Sequence, residues 1–252
     1  MRQLKLIGIG AGDPGQLTLE AVDALKQLDV VLILEKRPET HDLSVIRQHL
    51  LEKYGKQNLL RHYVQDPERA SKGDYLENVK RWHRERVDRL EQALLEHLPD
   101  DGVAGLLVWG DPSLYDSALR MAHELQARNT LPLAVSVIPG VSCIQLLCAR
   151  FQRPMNQLNA PVLITTGRRL REEGFPAHVN EIFVMLDGEC SFEQMEEEGL
   201  WIQWGAYLGL PEEELIEGPL AEVADTIRQK RQALRAERGW IMDTYALQRR
   251  RS

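Results

Sequence analysis

Residues 109–117, WGDPSLYDS, follow the apolar run GLLVW and lead into the helix-like segment DSALRMAHEL. A chain with this stretch must end a strand, turn sharply and start a helix. Gly110 has no Cβ, so a ligand can approach its backbone, while Pro112 fixes its own φ and biases Asp111 toward extended backbone. The loop is therefore stiff. It offers a carboxylate and backbone polar groups at the carboxyl end of a strand, where open α/β sheets bind small molecules. The same residues also suit a plain βα turn, with Ser113 and Asp116 serving the helix start, and the tripeptide GDP alone does not separate the two.

The chain opens the same way. Residues 4–9 are an apolar run, AGDPGQL follows, and Val22, Leu25 and Leu28 mark the face of a helix before a second apolar run at 30–34 ends in Glu35 and Lys36. This βαβ opening invites a dinucleotide reading. Its spacing argues against that: Gly8, Gly10 and Gly12 give GxGxG followed by Asp13 and Pro14, without the third-glycine arrangement of the fingerprint.

A helix is expected over 41–54 (Leu43, Ile46, Leu50, Leu51), then a polar, partly irregular stretch through Gly73. Asp74 opens a long amphipathic segment with Leu76, Val79, Val87, Leu90 and Leu94 on one face; Trp82 and His83 within it read as packing residues. A strand at 103–109 leads into WGDPSLYDS. The following helix fades near 127–131, and Pro132 marks the expected boundary between domains 1–129 and 130–252. Residues 133–138 read as a strand and PGVSC as a second strand-to-helix turn. Further strands are expected at 162–165, 182–186 and 201–207, then turn residues in LGLPEEELIEGPL, a charged helix over about 221–235 and a last strand in GWIMDTYAL.

A chain of 252 residues with net charge -7 is long enough for a large core and is not a dedicated nucleic-acid binder. Arg168 to Arg171 (RRLR) and Arg249 to Arg251 are local basic runs, the second expected to be a solvated tail. Cys143, Cys148 and Cys190 form no CxxC and have no paired histidine spacing, which argues against a disulfide framework or a metal site. The amino terminus lacks a signal-peptide pattern and no apolar run nears the ~20 residues of a membrane span, so a cytoplasmic, reducing location is expected.

Taken in order, GIGAGDPGQLTLEA, WGDPSLYDS, PGVSC, MLDGECSF and WGAYLGLPEEELIEGPL resemble the class III tetrapyrrole methyltransferases from about Leu4 to the last strand. The resemblance implies an α/β fold class: two α/β domains with a cofactor cleft between them, the N-terminal sheet mainly parallel and the C-terminal one mixed. It also implies a homodimer that uses S-adenosyl-L-methionine, leaves S-adenosyl-L-homocysteine, and needs no nucleic acid, membrane or metal. Within the family, WGDPSLYDS, ITTGRRL, GFP, MLDGE, WGAYLG and GWIMDTY are similar to a member acting on precorrin-5, methylating carbon 1 and releasing acetate to give precorrin-6A.

Carried onto this sequence, the donor contacts fall on Ala11, Trp109, Gly110, Asp111, Leu114, Ser142, Cys143 and Met185. Ala11 stands where most members have Pro or Gly, and Ser142-Cys143 where they have Thr-Ala or Ser-Ala. Asp111 is expected to accept from the donor's ammonium or hydroxyl groups, and Met185 to pack against it. Arg168, Arg169 and Arg171 are placed either to pair with substrate carboxylates or as a solvated helix start. Acetate release calls for activated water, with Tyr115, Asp116, Asp187 and Glu189 as candidates.

Overall fold

A computed structural model describes residues 1–35, 41–67, 74–195 and 198–249. Lys36, the polar stretch 68–73, the side chains of Leu43 and Leu76, and Arg250 and Arg251 of the basic tail lie outside the described residues. The chain forms two compact units, Met1–Val141 and Ser142–Ser252.

In the first unit, five strands form one parallel sheet: β1 (Arg2–Gly8), β2 (Val30–Glu35), β3 (Leu60–Gln65), β4 (Val103–Val108) and β5 (Leu133–Ile138), in the order β3-β2-β4-β1-β5. Parallel neighbours need crossovers. These are α1 (Leu19–Gln27), α2 (His41–Tyr54), α3 (Tyr75–His97) and α4 (Ala118–Arg128). β1 shows why its sequence is apolar throughout: Leu4 and Leu6 pack with Val87, Leu90 and Leu94 of α3 and Met121 and Leu125 of α4. Ile7, just beyond them, joins Ala21 and Leu25 of α1 and Leu50 and Leu51 of α2. Both faces are covered, as a parallel sheet requires.

Local signals fix the helix starts. Thr18 accepts from Ala21 N at 3.0 Å, and Asp74 accepts from Glu77 N at 2.9 Å, each satisfying an amide that the helix leaves unpaired. Because every strand runs the same way, the turns after β1, β4 and β5 emerge on one edge of the sheet.

The second unit holds a mixed sheet of β6 (Leu163–Thr166), β7 (Glu181–Met185), β8 (Leu200–Ala206), β9 (Glu214–Pro219) and β10 (Asp243–Arg249), ordered β6-β7-β10-β8-β9. Only β6 and β7 pair in parallel; the remaining pairs are antiparallel. α5 (Cys143–Arg150), α6 (Gly167–Glu173) and α7 (Leu220–Arg238) complete it. Phe183, Trp204, Tyr207 and Tyr245 are fully buried, with Tyr207 edge-on to Trp240 at 4.9 Å and its hydroxyl donating to the Trp240 carbonyl at 2.6 Å.

Three features differ from the sequence reading. The sequence predicts a partly irregular stretch at β3 and turn residues at β9; each is an edge strand that mixes polar and apolar side chains, LRHYVQ and ELIEGP, so neither shows a continuous apolar run. The division falls after Val141 and not at 129/130, because β5 pairs with β1 from Arg2↔Leu133 to Ile7↔Ile138. Pro132 thus ends a crossover inside the first unit.

Candidate functional site

In the first unit, the turns following β1, β4 and β5 are locked to one another through glycine backbones. A Cβ on Gly140 would stand 2.1 Å from the Gly110 carbonyl oxygen, and one on Gly8 only 2.8 Å from Gly140 Cα. Gly110 N donates to Gly10 O at 2.8 Å and Gly10 N returns to Gly110 O at 3.3 Å, with φ of +69° and +72°, where an L side chain is strained. This accounts physically for four of the glycines in the turn motifs, Gly8, Gly10, Gly110 and Gly140.

Asp111 ties two of these turns together. Its Oδ2 accepts from Gly140 N at 2.8 Å, and its Oδ1 accepts from Ser113 N at 2.8 Å and from the Ser113 hydroxyl. Burial opposes its charge, but the bonds from Ser113 and Gly140 outweigh burial and hold its carboxyl below the usual range. Both oxygens are occupied within the protein. Asp111 therefore braces the turns, with Oδ2 taking a single hydrogen bond, from Gly140 N.

The remaining first-unit candidates surround this brace. Ala11 is buried, its amide donating to Gln16 Oε1 at 2.9 Å. Trp109 packs partly buried against the cluster containing Ile7 and Ile9. Leu114 N donates to the Asp111 carbonyl at 3.2 Å. Tyr115, with φ +51°, is exposed, and Asp116 is exposed with Oδ1 accepting from Ala118 N at 2.6 Å. The loop thus presents an apolar side chain, a phenol and a carboxylate between two fixed ends.

In the second unit, Ser142 precedes α5 and its amide donates to Gln145 Oε1 at 2.7 Å. Burial pushes the Cys143 thiol up to about 11 even though Thr244 hydrogen-bonds it. Thr244 Oγ1 also donates to the Val184 carbonyl at 2.9 Å, so β10 links the start of α5 to the end of β7, where partly buried Met185 lies. A neutral Cys143 suits packing and not nucleophilic attack. Next to Met185, Leu186 has φ +53° and is 66% exposed.

Asp187 is the hub of the turn after β7. Ser191 N and Tyr245 Oη donate to its Oδ2 at 2.6 and 2.7 Å, and Ser191 Oγ and Glu189 N donate to Oδ1 at 2.8 and 3.1 Å. A Cβ on Gly167 would stand 2.3 Å from its side chain, so only glycine lets α6 start there. A buried carboxylate with hydrogen bonds on both oxygens holds this turn together. Glu189 is the exposed carboxylate of this turn, with Arg171 Nε 3.5 Å away.

The three arginines divide. Arg171 Nη1 donates to Ser191 Oγ at 2.8 Å and lies 3.6 Å from Asp187, so it belongs to the hub. Arg168 and Arg169 are exposed and pair along α6 with Glu172 at 2.8 Å and Glu173 at 2.9 Å. Such exposed pairs are individually weak. Among the described residues no three His, Cys, Asp or Glu side chains are grouped to hold a metal ion, and no helix is long and apolar enough to cross a membrane.

Several contributors were not foreseen: Gln16 and Gln145, whose side chains satisfy turn amides, Tyr245 on Asp187, and Arg86 behind the β4 loop. For Gln145 a signal exists, since S-x-x-Q is a capping-box spacing. For the others the partner is distant in sequence, apart from Gln16, whose target lies in a turn of no regular pattern.

Residues 3–224 match the family model of the Tetrapyrrole (Corrin/Porphyrin) Methylases. The chain is 39% identical over 251 residues to a precorrin-6A synthase [deacetylating] of Sinorhizobium sp., covering 99% of this chain and 96% of that protein. Among solved structures, a cobalamin-synthesis-related protein (CobF) of Corynebacterium diphtheriae aligns with a TM-score of 0.85 at 36% identity, covering 99% of each chain. A uroporphyrin-III C-methyl transferase of Thermus thermophilus, complexed with S-adenosyl homocysteine, aligns with a TM-score of 0.59 at 19% identity, covering 98% of this chain and 92% of that one, a likeness of fold.

Proposed function

The chain belongs to the tetrapyrrole (corrin/porphyrin) methylases, and from that membership we propose that it is an S-adenosyl-L-methionine-dependent C-methyltransferase that converts precorrin-5 to precorrin-6A with release of acetate. The observation that carries this reading is the 39% identity over nearly the whole chain to a protein of that name and activity. We further propose that it works as a homodimer in the cytoplasm, where its three free cysteines stay reduced.

The residues present suit such a donor. Ala11, Trp109 and Leu114 in the first unit, and Met185 in the second, carry apolar side chains fitted to an adenosine or a thioether. The Gly110 and Ser142 amides are spent on Gly10 O and Gln145 Oε1, so those positions, with Cys143 at the start of α5, contribute the shape of their turns. When bound, the donor supplies an electrophilic methyl on a sulfonium, and its transfer to a carbon nucleophile is an in-line displacement. The protein's share is alignment and exclusion of water. Asp111 contributes indirectly, by fixing the turns that carry the contacts.

Acetate release adds water across the bond to the acetyl carbonyl carbon. The ring carbon keeps the electron pair, and the acetyl group leaves as acetate. We assign the water-activating role to the exposed groups Tyr115, Asp116 or Glu189, and not to Asp187. Arg168 and Arg169 are assigned to substrate carboxylates, which they would reach by exchanging their helix partners.

Calorimetric titration with S-adenosylhomocysteine, with a nicotinamide dinucleotide as comparator, tests the donor class. Binding of the former alone supports the reading. Binding of the dinucleotide alone would return the GIGAG turn to the dinucleotide-binding class.

A further inference from the structure

Asp111 pins the start of the WGDPSLYDS loop, and a different residue pins its end. Arg86, on α3, is 3% exposed. Its Nε lies 2.7 Å from Asp66 Oδ1, just past β3, and its Nη1 donates to Ser117 Oγ, just before α4, at 3.0 Å. Its guanidinium carbon sits 4.2 Å from the Trp82 ring centroid, and the Trp82 indole N–H donates to the Pro67 carbonyl at 2.9 Å. Arginine's planar fork suits this three-way contact, which a lysine cannot reproduce.

A buried ion pair adds little net stability, because desolvation offsets its attraction. What it supplies here is position: one cation joins the β3 exit, α3 and the end of the β4 loop. Between the two anchors stands Tyr115 with φ +51°, a conformation a non-glycine residue keeps when its surroundings fix it. We propose that Arg86 is a positioning residue for methyl transfer, acting through Ser117 to hold Tyr115 and Asp116 in one arrangement. This rests on the methyltransferase reading, and Arg86 itself touches no reacting group.

Ser117→Ala removes the link to the loop and leaves the Arg86–Asp66 pair intact. It is expected to lower kcat about 10- to 100-fold, the scale of a small misplacement, while the Kd for S-adenosylhomocysteine and the Tm stay near wild type. Chymotrypsin cleavage after Tyr115 should quicken severalfold, and Ser117→Thr, which keeps the hydroxyl, should restore both readouts. Wild-type kcat and cleavage in Ser117→Ala would overturn the proposal, as would a fall in kcat with unchanged cleavage. If the wild-type protein itself fails to turn over precorrin-5, the functional reading fails and the positioning role for methyl transfer fails with it, whereas a quickened cleavage would still separate that result from an absent latch.

Discussion

Asp111 and Asp187 each accept hydrogen bonds on both oxygens, and both therefore act on backbone geometry. Asp111→Ala leaves the Gly140 and Ser113 amides without their acceptor, which should cost about 1–3 kcal/mol of stability. Its lowered pKa gives the sign of the pH dependence. The stabilisation is present above the ordinary carboxylate pKa of roughly 3.9 and is lost as pH falls through the lower folded value. Acid titrations of wild type and Asp111→Ala, followed by circular dichroism, should converge at low pH. For Asp187→Asn the expectation is a drop in Tm with the ratio of acetate to methylated product unchanged. Product retaining its acetyl group at normal stability would return Asp187 to the chemistry. Iodoacetamide should label the three cysteines only on unfolding, because burial raises each thiol.

At the scale of elements, periodicity was a good guide where both faces of a strand or one stripe of a helix are buried. β1, β2, β4 and α3 read plainly for that reason, and Asp74 announces α3 as its cap. β3 and β9 did not, since an edge strand shows little continuous apolar sequence. The placement of β5 was not legible either, as nothing local records that Leu133 pairs with Arg2. The caps carry testable weight: Asp74→Ala should destabilise the first unit by about 1 kcal/mol. Leu90→Ala, emptying a fully buried site between α3 and the sheet, should cost about 2–5 kcal/mol by urea denaturation.

For the whole molecule, the order of the turn motifs makes the family legible, and in the first unit three of those motifs mark strand ends whose backbones must approach one another. Gly8, Gly110 and Gly140 show this directly. The roles of side chains were less legible. The motifs of Asp111 and Asp187 point to chemistry, and nothing local in them records that the two carboxylates also brace their turns through distant partners, Gly140 and Tyr245. In the proposed reaction, methyl gain and acetate loss occur on one substrate. Mass spectrometry of the product formed from precorrin-5 and methyl-labelled S-adenosylmethionine, with acetate quantified in the same reaction, tests it most directly. One labelled methyl gained and one acetate released per turnover is the expected result; a methylated product that keeps its acetyl group would overturn the proposed reaction and assign the chain to another ring position.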